Sequence, residues 1–266
     1  MMGMVGSLEE SNPPLLTISK LPPGRDVLQG WQHVLLWVVM ATFLASVGSH
    51  WVSQYGHGSN PAGAGEFGQS MLYFALPMIL SLLIASQARS MVARRFDVDI
   101  GQMVPIVFPI PAWWPFGLVG VLGQRRPDLV PMPSRRALGS IELVAPLVIS
   151  FSGFVLTLAG LMMTPSSPPE LDGPPVVFEA SLLASSLAES WMGIEMGIRL
   201  QWLHPLGIAG IALSLVGWGL MLPIPGLPGD RVLQSVIGPS EMRKGRAQTS
   251  IFLVVLVAMI VVFVTA

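Results

Sequence analysis

Residues 70–99 read SMLYFALPMILSLLIASQARSMVARRFDVD, and the change of character along this stretch decides the fold. From Met71 to Ala88 there is no charged side chain. As a helix, such a run reaches about 27 Å, close to the roughly 30 Å hydrocarbon thickness of a bilayer. Arg89, Arg94 and Arg95 follow at once, as expected where a span leaves lipid for a phosphate-rich surface. We place a membrane span at about Ser70 to Arg89.

The rest of the chain has the same economy of charge. Of 266 residues, 52% are hydrophobic and 11% charged, where a soluble domain carries roughly a quarter charged. The bilayer is therefore the main solvent and the first expected partner. A net charge of −1 gives no global attraction to nucleic acid. No cysteine is present, which excludes disulfides, thiolate metal sites and cysteine nucleophiles. The opening residues, with Glu9 and Glu10 and no early apolar run, do not resemble a cleavable signal peptide.

The fold class expected is an all-α polytopic membrane protein of about five transmembrane helices. Residues 1–30 read as an irregular cytosolic leader, 31–248 as the main membrane domain and 249–266 as a C-terminal transmembrane helix. The first span is about His33 to His50, the third about Ile141 to Met163, the fourth about Pro205 to Leu222 and the last about Ser250 to Ala266. Between the second and third lies an apolar stretch, Ile100 to Val130, dense in proline and glycine. That density rules out a regular helix. An extended or re-entrant segment is expected, tolerated at membrane depth only where other protein covers its backbone. Phe178 to Ile198, amphipathic with Glu189 and Glu195 on its polar side, is expected on the outer membrane surface.

Lysine and arginine give the orientation. With the N-terminus in the cytosol and loops alternating, thirteen of the fourteen basic residues fall on the cytosolic side and only Arg199 on the other. The expected topology is five spans, N-terminus cytosolic and C-terminus outside.

Four ordered stretches then resemble the site-2 proteases, intramembrane zinc metalloproteases, particularly the branch found in cyanobacteria and plastids. The first is 84–99, IASQARSMVARRFDVD, where the family reads HExGH and then Ala-Arg-Arg. The second is 104–111, VPIVFPIP, which looks like the family's membrane-embedded extended segment. The third is GLVG at 117–120, PMPSRRAL at 131–138 and ELVAPL at 142–147, where the family has Ala-Gly-Pro at the head of its third core helix. The fourth is HPLGIAG at 204–210 and LPIPGLPGDRVL at 222–233, against the family's His-Pro-Leu, Asn-Leu-Leu-Pro and Leu-Asp-Gly-Gly. The resemblance covers roughly residues 70–240. It implies a three-helix core and a groove for client transmembrane segments beside Pro105, Ile106, Val107, Phe108 and Pro109.

It also implies a chemistry for which the residues are missing. Metal-assisted peptide hydrolysis needs three protein ligands, an open position for water and a carboxylate to take the water's proton. Matched from the Ala-Arg-Arg anchor, Ala85 replaces the first histidine, Ser86 the glutamate and Arg89 the second histidine. Pro228 stands at the aspartate and Leu220 at the asparagine. A guanidinium only donates and stays charged, so it cannot bind a cation. No metal and no cofactor is expected, and no catalytic residue is assigned.

Other residues have plainer expectations. Ala85, Ser86 and Ala88 are small enough for close helix packing. Arg89 is expected to snorkel to the cytosolic surface with Arg94 and Arg95; the alternative is an anchor for a carboxylate or carbonyl inside the old cleft. Trp113 and Trp114 read as interfacial anchors, Glu142 as an acid favoured near a helix start, and His204 as a cap of the fourth span. His33 and His50 lie about 25 Å apart on one helix and cannot share a metal. The function expected is a pseudoprotease that binds or regulates membrane-protein clients or partners. The alternatives are an active intramembrane metalloendopeptidase with an unrecognised site, or a small-solute transporter.

Overall fold

The computed structural model describes residues 4–9, 15–20, 28, 30–55, 65–108, 110, 114–123, 132–165, 177–178, 198–199 and 202–237, with helical positions at 249–251, 253–254 and 257. The described chain is mostly helical. In order it runs β1 Met4–Glu9, β2 Leu15–Lys20, α1 Gly30–Tyr55, α2 Gly65–Ser70, a π-helical turn Met71–Ala75, and α3 Leu76–Arg94. Then come β3 Met103–Val107, β4 Leu118–Gly123, α4 Arg135–Met163, β5 Val177–Phe178, β6 Ile198–Arg199, α5 Pro205–Leu220 and α6 Pro228–Ile237.

Three of these helices are long and apolar enough to cross a membrane: Gly30–Ser53, Gly65–Arg94 and Arg135–Met163. They are the first three expected spans. Their lipid-facing sides are apolar, with Val38, Leu80, Ile84, Phe151 and Val155 all exposed. In water that would be a liability; in a bilayer it is the solvated surface. α5 has 16 residues, about 24 Å, shorter than the expected fourth span and the most enclosed helix of the group. Most of the expected fifth span, and residues 179–197 of the amphipathic stretch, lie outside the described residues.

The second span has a specific break. Pro77 has no N–H and its ring crowds the carbonyl four residues back, which is Tyr73 in the π-helical turn. A wide turn there absorbs the conflict without ending the helix.

Two elements differ from expectation. The leader is not irregular throughout: β1 and β2 pair antiparallel, from Met4 opposite Lys20 to Glu9 opposite Leu15. The proline and serine content hid two short runs rich in strand formers, among them Val5, Thr17 and Ile18. The proline-rich segment is extended as expected, but as a hairpin. β3 pairs antiparallel with β4, from Met103 opposite Gly123 to Val107 opposite Leu118, with an irregularity between Ile106 and Val107.

The core is built on α4. It packs against α3 on one side and α5 and α6 on others, around Leu82, Ile149, Ile208 and Leu213. Small residues set the α4–α5 approach. A methyl group added to Gly153 would lie 2.6 Å from the Ser214 amide nitrogen and 2.7 Å from the Gly210 carbonyl oxygen. One added to Gly160 would strike the Gly207 backbone, and one on Gly217 would lie 2.8 Å from the Ser150 nitrogen. The pairing order shows the two helices to be antiparallel. Close backbone approach through small residues is how helices associate where lipid removes the hydrophobic drive.

Candidate functional site

α3 carries three of the four positions at which the resemblance would place metal chemistry, all buried. Ala85 has no accessible surface and contributes only to the core. Ser86 accepts a hydrogen bond, 3.0 Å long, from the backbone nitrogen of Met103 at the start of β3. Arg89 donates from Nη2 to Oε1 of Glu142 on α4, at 2.9 Å.

The Arg89 contact corrects the snorkelling expectation. Its side chain is 9% exposed and that of Glu142 4%, so the guanidinium points into the helix interface and the alternative, an anchor for a carboxylate, is what occurs. The reason is Glu142, the only acid in α4. A buried carboxylate left unpaired is far costlier than one meeting a guanidinium. Glu142 therefore does more than complement a helix dipole: it lies two turns inside α4, facing α3.

Pro228 opens α6, whose packing partner is α4, with Gly139 of α4 against Ser235 of α6. Two positions later Asp230 is buried and accepts from Gln234 Nε2 at 3.0 Å. Among the described residues, no group of three histidines or carboxylates is placed to hold a metal. The donor chemistry agrees with that geometry. Ala85 and Pro228 offer no side-chain donor, the Ser86 hydroxyl is engaged, and Arg89 brings a positive charge. These residues do not fit zinc.

The hairpin is locked between helices. At one end Met103 is tied to Ser86. At the other, Trp51 of α1 donates from Nε1 to the Pro115 carbonyl at 2.7 Å. Gly117, at φ +70°, brings its Cα against Val47 and Leu44 of α1, where a side chain would be both strained and crowded. Phe116 and Leu118 are buried against the same region. Trp114, expected as an interfacial anchor, is half-buried, donates to the Leu118 carbonyl at 2.7 Å and packs edge-on against Phe116. Trp113 lies outside the described residues.

Of the residues named for the expected groove, Pro105, Ile106 and Val107 lie on β3 and Phe108 directly follows it. Met103 and Pro105 alternate along β3, so both turn their N–H position away from β4. The first is taken by Ser86 and the second does not exist in proline. Along this part of its outer edge β3 offers only carbonyl acceptors. Ile106 is 38% exposed, the half-buried Val107 packs on the core, and Phe108, just past β3, is half-buried; Pro109 lies outside the described residues.

A second polar cluster sits at the opposite end of the bundle and was not foreseen in full. The His204 ring stands edge-on to Tyr55 and Tyr73, with centroids 5.3 and 5.1 Å away. Its Nδ1 accepts from the Leu206 amide at 3.2 Å, capping α5 as expected, while its own amide donates to Thr164 Oγ1 at 3.1 Å. Burial lowers the pKa of His204 and raises that of Tyr55. Histidine before proline signalled the cap; nothing in the spacing of Tyr55 and Tyr73 signalled their convergence on it.

No known protein family, curated protein or solved structure matches this chain.

Proposed function

We propose that this chain is a site-2-protease-like membrane protein without hydrolytic chemistry, which binds or regulates other membrane proteins. The observation that carries the proposal is what fills the centre of α3. The residue in the place of a second histidine ligand is committed to Glu142, and the residue in the place of the general base anchors β3. Both interactions tie these side chains into the protein's own framework, and a guanidinium offers no lone pair to a metal. The five-span arrangement, with N-terminus cytosolic and C-terminus outside, belongs to the same proposal. Ile106 and Phe108 are the contact points offered to a client helix, through side chains rather than added strand pairing.

The experiment has two arms on the purified full chain. Metal analysis is expected to find no stoichiometric zinc, and incubation with transmembrane peptides no cleavage. One zinc per chain, or hydrolysis by the unmodified protein, overturns the proposal in favour of an active metalloendopeptidase. A photo-crosslinker at Ile106 or Phe108 is expected to capture discrete membrane-protein partners in the native membrane. Capture no different from that at lipid-facing Phe151 removes the binding half. The variant Ala85→His, Ser86→Glu, Arg89→His and Pro228→Asp asks separately about scaffold geometry, with gain of zinc binding as the supporting result.

A further inference from the structure

The end of the bundle where α3 stops and α4 begins carries Arg94, Arg95, Arg135 and Arg136, all exposed. A small core of Ala93, Val98, Ile100, Ala137 and Ile141 ties these two helix ends together, so the four guanidinium groups belong to one surface. We infer that this surface docks the anionic phosphate headgroups of the surrounding membrane lipids.

Three observations converge on it. Among the described residues none of the four is ion-paired; the salt bridge nearby is spent inside, between Arg89 and Glu142. The exposed carboxylates close in sequence are Asp97 and Asp99, two negative charges against four positive. The first turn of α4 contains no acid and begins with Arg135 and Arg136. Cations there oppose the macrodipole of a 29-residue helix, whose N-terminal end is itself positive. The local field is therefore strongly positive and unbalanced within the described chain.

The occupant follows from what borders the patch. Within one to three turns of the arginines, Ile84, Met91, Leu143 and Leu147 are exposed and apolar, at 59%, 64%, 36% and 49%. A soluble acidic partner would meet acyl chains there, whereas a lipid presents an anionic phosphate and an apolar tail in that order. Guanidinium groups bind phosphate oxygens in bidentate fashion. Each arginine near an anionic surface contributes about fivefold in partitioning. The inference requires only a membrane-embedded chain and stands independently of the pseudoprotease proposal.

The test uses the full chain in dodecyl maltoside, titrated with dioleoylphosphatidylglycerol or dioleoylphosphatidylcholine, with unfolding followed by tryptophan fluorescence. Phosphatidylglycerol is expected to raise the midpoint above that in phosphatidylcholine by about 3 °C. Arg94→Gln, Arg95→Gln, Arg135→Gln and Arg136→Gln together should abolish most of that difference and leave the phosphatidylcholine midpoint nearly unchanged. Equal midpoints in the two lipids for the wild-type chain overturn the inference, as does a retained difference in the four-fold variant. Inorganic phosphate reproducing the full shift overturns the lipid assignment. Should the variant not fold, the wild-type chain decides alone: raising salt to about 1 M, where the Debye length is about 3 Å, should collapse the difference, and a salt-independent difference is the opposing result.

Discussion

Arg89 and Glu142 are 53 positions apart in the chain and 2.9 Å apart in space. Removing one partner leaves a charge stranded between α3 and α4. Glu142→Ala or Arg89→Ala should therefore cost about 3–5 kcal/mol of unfolding free energy in detergent. Replacing both with apolar groups of similar volume, Arg89→Met with Glu142→Leu, should be neutral or stabilising by about 1–4 kcal/mol. If the double variant is as unstable as the singles, the pair is not an isolated structural contact. Ser86→Ala removes the acceptor of the Met103 amide and should cost about 1–3 kcal/mol, with hydrogen exchange at Met103 accelerated. The sequence showed the charge at 89 and the acid at 142, but pairing depends on how two helices rotate against each other. That rotation is set by packing across the whole interface, so the snorkelling expectation had no local signal to correct it.

Glycines let the backbones of α4 and α5 approach closely, and this makes their interface intolerant. Gly160→Val places a branched side chain on the Gly207 backbone and should cost about 3 kcal/mol or more by forcing the helices apart. Gly219, around which an added methyl meets nothing, should accept Ala at little cost; comparable losses at the two positions would contradict the packing role. The α5 cap adds a dependence on pH. Nδ1 of His204 accepts from Leu206 only in the neutral ring, and burial holds its pKa below the ordinary value of about 6.5. The unfolded chain then binds more protons, so the cap's stabilisation is complete above about pH 6.5 and is lost as pH falls through the depressed folded value. The loss should be about 1 kcal/mol. His204→Asn, which keeps a capping acceptor, should flatten this part of the pH profile. An unchanged profile in that variant assigns the effect to other groups.

At the scale of the whole molecule, the first three spans and the extended character of the proline-rich segment were legible because apolar run length and proline density act locally. The hairpin partner of β3 and the enclosure of the short α5 were not, since both depend on what neighbouring helices leave uncovered. The leader hairpin is hidden for a different reason: composition averaged over thirty residues conceals two short strand-forming runs. Sidedness is the property most exposed to test. The chain has no cysteine, so a single introduced thiol reports its own location without background. Pro133 is exposed just before α4 at the arginine-bearing end, and Met163, 46% exposed, closes α4 at the other. They flank the roughly 42 Å length of α4. If the arginine end is cytosolic, as basic-residue bias requires, a membrane-impermeant maleimide should label Met163→Cys in intact cells and Pro133→Cys only after permeabilisation. The reverse pattern would invert the topology while keeping α4 as a span. Labelling of both from one side would show that α4 does not cross the membrane at all, and with it would fall the placement of the Arg89–Glu142 pair between two transmembrane helices.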